Sequence, residues 1–404
     1  MKNRRWPASF PGIHWYDAQE ERAVVGVVRG GAPFRYYGLT PPRQVLALEA
    51  AARKFYGMKH ALGVNSGTAG LCLAMRALGI GPGDEVIVPS YLWVSTIGAV
   101  VLANAIPVLC EVDDTFTMDP ADLARKITRR TKLIVPVHMS GAPCDMRRIM
   151  ALARRHRVAV LEDCAQANGG SFRGRKLGTF GTIGMFSFQM NKNCSAGEGG
   201  LLVTNDTQLD GQLRAAHDVG VPWRQGGGPD PATGYVTWGD GRRMSELIGA
   251  VAGVQLRKLP GIVRRMRASK RRILNQLAGI ETARVTDSAG DSGSFLILKL
   301  ADARAAREVA RQLQPLGAVR LADFGMHIYY NIPQLVQKLP LSPAGNPWRL
   351  PANRASRYRY GQGACPRSDA LFARSVLLAV PSCLTRAQED WAARLIRTAW
   401  RNTQ

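Results

Sequence analysis

The fold is decided by the stretch VAVLEDCAQANGGSFRGRKLGTFGTIGMFSFQMNKNCSAGEGGLLVTN, residues 158–205. It contains three short β-rich apolar runs, at 158–163, 183–188 and 200–205. Runs of the same kind precede it, and helical patterns lie between several of them. These earlier runs are at 85–90, 106–112 and 132–139, with helical patterns at 67–79 and 145–156. Continuous apolar strands that alternate with helices predict an α/β fold whose mostly parallel sheet is covered on both faces.

The chain divides into three parts of different character. We place an N-terminal segment at 1–37, a large domain at 38–258 and a smaller α+β domain at 259–404. A long helical stretch crosses into the smaller domain, and we expect Pro260-Gly261 to interrupt it. A strand at 294–300 and a helix at 302–314 then follow. The Gly- and Pro-rich segment 224–234 has no periodic pattern, which predicts a mobile surface loop and a candidate lid.

The composition is that of a basic globular protein. The 404 residues are 46% hydrophobic, enough to bury one large core and a smaller one, and the formal net charge is +24. This charge fits an acidic partner such as nucleic acid, an anionic surface or a phosphorylated substrate. The most basic helical pattern, 262–277, also has an apolar stripe, and no nucleic-acid motif accompanies it. We interpret it as a packed helix with a solvated basic face, and we expect no nucleic-acid partner.

The cysteine spacing and the hydropathy of the sequence indicate the cellular compartment of the protein. The seven cysteines are odd in number and scattered, with no CxxC pair and no histidine at metal-ligand spacing. This favours a reducing cytoplasm and no metal site. No apolar stretch follows the basic N-terminus, so we predict no secretory signal. The uncharged run 93–110 contains polar residues and breaks at Pro107, which favours a buried helix and strand over a membrane span.

Candidate catalytic residues lie at the ends of predicted strands. Lys192 stands among apolar and amide residues beyond the run 183–188. Such a setting suppresses the charge of a lysine that must react as an amine. Asp163 ends the run 158–163, at the carboxyl edge of a parallel sheet, where α/β folds bind ligands.

Upstream residues supply two further parts of a ligand site. Ser66, Gly67 and Thr68 offer hydroxyl and N–H groups at the start of a helix, which is a natural seat for a phosphate. Trp93 follows the strand at 85–90, where a flat ring could lie against a planar ligand, although a core aromatic fits this position equally well. A reactive lysine, an acid, a phosphate seat and a flat wall together are what pyridoxal phosphate requires. Its electron sink works best with a protonated ring nitrogen, which a carboxylate stabilises.

Four stretches give the sequence a family resemblance. They are NSGTAGLCLAMRALGIGPGDEVIVPSYLWVST (65–96), TKLIVPVHMSG (131–141), LEDCAQANGGSFRGRKLGTFGTIGMFSF (161–188) and KNCSAGEGGLLVTND (192–206). With them, the sequence resembles the DegT/DnrJ/EryC1/StrS sugar aminotransferases from about residue 38 to about residue 400. The C-terminal stretch CPRSDALFARSVLLAVPSCLT (365–385) resembles the small domain of that family. The resemblance implies the pyridoxal-phosphate-dependent transferase fold of type I, with a large domain and a smaller C-terminal one.

The resemblance also implies roles for single residues. Lys192 would bind the cofactor as a Schiff base and act as general base, and Asp163 would pair with the pyridine nitrogen. Gln166 would lie near the phenolic oxygen of the ring, and Trp93 would stack on the ring. The phosphate would be held by Gly67, Thr68 and Ser187.

The chain departs from the family pattern at two places. Asn168 stands where the family often has histidine, so any role of that histidine is absent. Gly241 stands where the family has an asparagine that binds the phosphate of the neighbouring subunit's cofactor, and we hypothesise that Arg242 compensates through charge and paired donors. His138 and His217 occupy places where family members contact ligand, although packed structural histidines fit equally well. The resemblance implies a homodimer with shared active sites.

Three functions of different class remain open. The first is an aminotransferase that moves an amino group from glutamate or glutamine to a keto sugar or cyclitol, through pyridoxamine phosphate, and the retained Lys192 supports it. The second is a sugar dehydratase or deoxygenase that uses the same cofactor, whose relatives typically replace this lysine by histidine. The third is a basic nucleic-acid-binding regulator, which would not need this set of residues. Parts of the chain resemble the branch that acts on the acidic sugar 8-keto-3,8-dideoxyoctulosonate, and the same stretches also fit a nucleotide-linked keto sugar or an antibiotic cyclitol.

Overall fold

The computed structural model describes residues 5–342 and 345–403. Its strands are β1 (His60–Val64), β2 (Glu85–Pro89), β3 (Ile106–Cys110), β4 (Thr131–Ile134), β5 (Ala159–Asp163), β6 (Ser171–Phe172), β7 (Arg175–Lys176), β8 (Ile183–Ser187), β9 (Gly200–Thr204), β10 (Phe295–Lys299), β11 (Val319–Arg320) and β12 (Ser375–Ala379). Its α-helices are α1 (Ala18–Gly30), α2 (Gln44–Tyr56), α3 (Gly67–Ala77), α4 (Val94–Leu102), α5 (Pro120–Lys126), α6 (Met146–His156), α7 (Thr207–His217), α8 (Glu246–Leu274), α9 (Ala303–Gln312), α10 (Pro333–Val336), α11 (Pro366–Ala373) and α12 (Arg386–Arg401).

The larger sheet has seven strands in the order β1-β9-β8-β5-β4-β2-β3. Every neighbouring pair from β8 to β3 is parallel. β9 pairs antiparallel with both β1 and β8, so β1 points the same way as β8. The predicted α/β fold with a mostly parallel sheet is confirmed, and β9 is its reversed strand.

Helices cover both faces of this sheet. Side chains of α3 and α4 belong to one cluster of buried residues, and those of α2, α6 and α8 belong to another. In β2, Val86 and Val88 face the first cluster and Ile87 faces the second. Both faces of the strand are therefore apolar, which explains why the sequence shows continuous apolar runs instead of alternation.

The C-terminal part forms a second, smaller layer. Strands β10, β12 and β11 pair antiparallel, and their apolar side chains pack with those of α9 and α12 in a third buried cluster. The end of α8 contributes Ile273 to the same cluster. The predicted boundary between residues 258 and 259 lies inside α8, and the division into domains stays a prediction.

Helix α8 is continuous where we expected a break. It runs from Glu246 to Leu274 with Pro260 inside it, so the predicted interruption is wrong. A proline removes one helical hydrogen bond, but the neighbouring Leu259 and Ile262 are buried in the core and hold the helix in place.

The basic side of α8 is only partly solvated. Lys270 pairs with Asp291, and Arg272 pairs with Glu389 of α12. Part of the predicted basic face therefore joins α8 to the C-terminal layer instead of facing solvent.

Two further expectations concern chain segments outside the sheet. The segment 224–234 contains a 3₁₀ turn at Pro231–Thr233, and the N–H of Gly226 donates to the carbonyl oxygen of Tyr36 at 2.8 Å. Its role as a lid stays a prediction. Among residues 5–342 and 345–403, no helix combines the length and the apolar character that crossing a membrane requires.

Candidate active site

A cavity of about 360 Å³ opens at one edge of the seven-stranded sheet. Strands β1, β5 and β8 end at this edge and the reversed β9 begins there. Ser66 follows β1, Asp163 ends β5, Ser187 ends β8, and Lys192 precedes β9. The strand directions thus gather residues that are far apart in the chain. Eight of the predicted site residues line the cavity: Ser66, Gly67, Thr68, Trp93, Asp163, Gln166, Ser187 and Lys192.

The N-terminus of α3 forms one wall of the cavity. Ser66 is its N-cap, and its side-chain oxygen accepts a backbone N–H of the first turn at 3.0 Å. The hydroxyl of Thr68 donates to the Oγ of Ser95 at 2.9 Å. Gly67 must lack a side chain, because a Cβ there would lie 2.9 Å from the Cβ of Ser187. The first N–H groups of a helix have no partner within the helix, and its positive end attracts anions, so this wall suits a phosphate.

Asp163 lies at the floor of the cavity, with 3% of its surface exposed. Its Oδ2 accepts from the hydroxyl of Thr96 at 2.8 Å, and its Oδ1 accepts from the N–H of Ala165 at 3.0 Å. Burial raises the pKa of this carboxyl, while these two hydrogen bonds and the charge of Lys192 act in the opposite direction. Both donors stabilise the carboxylate form, which is the form that can pair with a cation.

Lys192 faces the same cavity from the loop before β9. Burial lowers the pKa of its ammonium group, and the negative charge of Asp163 partly opposes this effect. A lowered pKa increases the fraction of neutral amine, which is the nucleophilic and basic form. The sequence context of Lys192 predicted this suppression of charge.

A stack of rings closes another side of the cavity. The ring of Trp93 lies 4.6 Å from that of His327, which stacks on Phe324 at 4.1 Å. Burial lowers the pKa of His327 to about 4, so its imidazole is neutral at neutral pH. His327 was not among the predicted site residues. It lies in a short 3₁₀ turn next to the cavity, where its carbonyl oxygen accepts the N–H of Leu92. The only sequence signal was a histidine inside the aromatic stretch FGMHIYY (324–330).

Known proteins share both this sequence pattern and this architecture. The sequence model of the DegT/DnrJ/EryC1/StrS aminotransferase family matches residues 37–390. The chain belongs to this family. Among solved structures, DesV of S. venezuelae in complex with a ketimine intermediate is 29% identical, with 98% of each chain covered and a TM-score of 0.78.

Two other solved structures give the same picture. The 3-amino-5-hydroxybenzoic acid synthase is 26% identical, with 99% of this chain and 100% of that chain covered and a TM-score of 0.81. An aminotransferase from Psychrobacter cryohalolentis is 25% identical, with 98% of each chain covered and a TM-score of 0.81. This member of the DegT/DnrJ/EryC1/StrS family is therefore a pyridoxal-phosphate-dependent aminotransferase of fold type I.

The residue at the family's usual histidine position does not line the cavity. The side-chain amide of Asn168 donates to the carbonyl oxygen of Ser187 at 2.8 Å, and the backbone carbonyl oxygen of Asn168 accepts from the side-chain amide of Asn193 at 3.1 Å. Asn168 thus joins the end of β8 to the loop that carries Lys192. Gln166 does line the cavity, and its Oε1 accepts the N–H of Ser140 at 3.0 Å.

His138 lies behind the cavity and is fully buried. Its Nδ1 accepts the N–H of Cys144 at 3.1 Å, so Nε2 carries the proton and donates to Glu162 at 3.2 Å. His138, Glu162 and Cys164 place one potential metal-ligand atom each within 4.8 Å of one another. The carboxylate of Glu162 is already occupied by three backbone N–H groups, from Gly178, Phe180 and Gly181. The hydrogen-bonding capacity of the Glu162 carboxylate is thus used by donors from the protein. A substrate contact for His138 stays a prediction.

His217 and Arg242 also lie outside the cavity lining of this subunit. His217 is fully buried, and its Nδ1 bonds the carbonyl oxygen of Arg214 at 2.7 Å. Arg242 forms an ion pair with Asp240 at 2.7 Å. The predicted substrate contact of His217 and the predicted phosphate contact of Arg242 in a neighbouring subunit stay predictions.

Proposed function

We propose that this protein transfers an amino group from glutamate or glutamine to the keto group of a sugar or cyclitol, in the synthesis of an amino sugar or an antibiotic precursor. The observation that carries the proposal is the convergence of Lys192, Asp163 and the N-terminus of α3 on one cavity. Aminotransfer needs an amine that takes and returns a proton, an acid that tunes the cofactor and a seat that anchors it.

The residues that line the cavity fit pyridoxal phosphate. The seat next to Gly67 would be filled by a Cβ, and it combines the positive end of α3 with hydroxyl donors, which suits a phosphate group. We assign the phosphate to Ser66, Gly67, Thr68 and Ser187. When bound, the cofactor supplies an electron sink for negative charge that develops on the substrate carbon next to the nitrogen.

Asp163 would act as the partner of the pyridine nitrogen. Its carboxylate accepts hydrogen bonds from Thr96 and Ala165, which favour the ionised form and oppose the rise in pKa that burial causes. An ionised carboxylate in a buried site stabilises a proton on a nearby nitrogen. Stabilisation of this proton is the electrostatic contribution that the reaction requires from the protein.

Lys192 would hold the cofactor covalently and then move the proton. Its Nζ, neutral in part because burial lowers its pKa, accepts a proton from the donor amino acid and returns it on the acceptor side. Glutamate thereby leaves as 2-oxoglutarate, and the keto sugar gains the amino group. The overall exchange needs no further reactant.

The ring wall would exclude water from the planar ligand. Trp93, 41% exposed, faces the cavity and packs against His327. We assign Trp93 to stacking on the cofactor ring and Gln166 to the neighbourhood of the phenolic oxygen. A neutral His327 adds flat surface there without adding charge.

The second subunit and the substrate complete the proposal. We propose a homodimer in which Arg242 reaches the phosphate of the partner's cofactor, while His138 and His217 contribute near the substrate. An acidic acceptor such as an octulosonate fits the net charge of +24, because a positive protein concentrates anions. A nucleotide-linked keto sugar carries the same kind of charge.

A product assay tests this function. The purified protein is incubated with L-glutamate or L-glutamine and a panel of keto sugars and cyclitols, and the 2-oxo acid and the aminated product are quantified by mass spectrometry. We expect equal amounts of both. A product that loses a hydroxyl group without gaining an amino group would instead establish a dehydratase.

A further inference from the structure

A second cavity lies away from the active site, between the N-terminal segment, α8 and the residues that precede α12. Its volume is about 350 Å³, and its lining includes Trp15, Arg264, Arg265, Arg272 and Ser382. Of the residues that the structure describes, no acidic one lines it. Its volume lies at the lower end of the range of small-molecule sites, which is roughly 300–1,000 Å³.

Two of the three guanidinium groups in this cavity are not neutralised. Arg272 contacts both carboxylate oxygens of Glu389, so its charge is balanced. Within residues 5–342 and 345–403, neither Arg264 nor Arg265 forms an ion pair. The cavity therefore carries an excess of positive charge.

The guanidinium of Arg265 is held in place. Its central carbon lies 4.3 Å from the centroid of the Trp15 ring. The indole N–H of Trp15 donates to the hydroxyl of Ser382 at 2.9 Å, and this hydroxyl donates to the carbonyl oxygen of Pro11 at 2.8 Å. Ser382 is only 2% exposed, so the chain of hydrogen bonds is fixed. A cation held by stacking loses little further freedom when an anion binds.

We propose that this cavity binds a small phosphate-bearing anion. Guanidinium groups bind phosphate through paired donors and charge, and Arg264 and Arg265 offer both. The concave shape favours a small molecule over a nucleic acid, which would require an extended basic surface with interleaved aromatic residues. The proposal does not depend on the aminotransferase function, because the lining residues of the two cavities are different.

Calorimetric titration of the cofactor-loaded protein with inorganic pyrophosphate, and separately with inorganic phosphate, tests the proposal. Ionic strength is kept constant, and the loaded cofactor occupies the phosphate seat of the active site. We expect saturable binding that Arg264→Gln and Arg265→Gln each weaken at least about tenfold, because a charged hydrogen bond is lost. Arg271→Gln is the matched control, since Arg271 is exposed on the same helix and does not line the cavity. It should bind as the unaltered protein does.

Two results would overturn the proposal. One is equal weakening in all three variants, which would indicate diffuse attraction by net charge. The other is absent phosphate and pyrophosphate binding while a duplex DNA oligonucleotide binds with a steep salt dependence, which would make the surface a nucleic-acid contact. The titration measures no turnover, so loss of aminotransferase activity alone would not bear on it.

Discussion

The backbone N–H of Gly12 donates a hydrogen bond to the carbonyl oxygen of Lys192, with a distance of 3.1 Å between nitrogen and oxygen. The hydroxyl of Tyr16 donates to the carbonyl oxygen of Ser195 in the same loop at 3.2 Å. Gly12 and Tyr16 both precede residue 37, where the match to the family begins. The N-terminal segment thus holds the backbone of the loop that carries Lys192.

The close packing around Gly12 leaves no room for a side chain at this position. A Cβ there would lie 2.8 Å from the side-chain oxygen of Gln255 and 2.9 Å from the backbone nitrogen of Ser195. We expect Gly12→Ala to lower the free energy of unfolding by about 1–3 kcal/mol, since an overpacked position must shift its neighbours. Urea unfolding and cofactor retention measure the effect. Gly26→Ala is the control, because nothing lies within 4 Å of a Cβ there, and equal behaviour of the two variants would refute the constraint.

The hydrogen bond from Thr96 to Asp163 leads to a prediction about the acid limb of the pH profile. This bond lowers the pKa of Asp163, so Thr96→Val raises that pKa further. If the carboxylate is the active form, activity is then lost at a higher pH as the solution is acidified. We expect the acid limb of kcat/KM to move upward by roughly one to two pH units, because a charged hydrogen bond contributes about 1.5–3 kcal/mol. Ser95→Ala, which changes a cavity hydroxyl not bonded to Asp163, should leave the limb in place.

Removal of the Asp163 carboxylate itself should reduce activity more than the loss of this hydrogen bond does. Asp163→Asn keeps the shape of the side chain and removes its charge, so in the proposed role a proton on the cofactor nitrogen would lose its partner. We expect kcat to fall roughly 100-fold or more, as for loss of one preorganised electrostatic contact. Steady-state kinetics with saturating cofactor measures this, and an Asp163→Asn enzyme with near-normal kcat would contradict the assigned role.

His327 gives the folded protein a defined acid sensitivity. Its pKa is about 4 in the folded state, whereas an unperturbed histidine titrates near 6.5. Between these values the unfolded chain binds more protons, so stability falls as the pH falls. His327 should lower the free energy of unfolding by about 2 kcal/mol at pH 5 relative to pH 8. His327→Phe keeps the ring stack and should remove this component, and an identical acid loss in both proteins would show that the imidazole is not responsible.

The role of His138 can be determined by measuring the stability and the substrate affinity of a variant separately. The geometry places it in a buried pair with Glu162. Loss of the imidazole leaves the buried N–H of Cys144 without its acceptor and removes one donor from Glu162, so we expect His138→Phe to lower the free energy of unfolding by about 1–3 kcal/mol. The substrate-contact hypothesis predicts instead a raised KM with little change in stability. His156→Phe, on the exposed end of α6, controls for the loss of a histidine.

Much of the architecture could be predicted because parallel strands with both faces buried leave continuous apolar runs. The ends of β5, β8 and β9 follow from such runs, and they place Asp163 and Lys192 at one sheet edge. The reversed direction of β9 could not be predicted, since an apolar run does not show in which direction the strand crosses the sheet. His327 was missed because its position depends on the pairing of Tyr91 with Ile328, two residues that are far apart in the sequence. The break predicted at Pro260 is absent because core packing overrides a local helix-breaking preference.

The central claim is that Lys192 carries a pyridoxal cofactor and drives aminotransfer. Its most direct test is the visible absorbance of the purified protein, supplied with pyridoxal phosphate, before and after L-glutamate is added. We predict a coloured protein that bleaches with glutamate. Lys59→Ala, at the exposed surface, should bleach in the same way, and Lys192→Ala should not bleach. A protein that stays colourless with added pyridoxal phosphate, or a Lys192→Ala protein that bleaches with glutamate as the unaltered one does, would contradict the account.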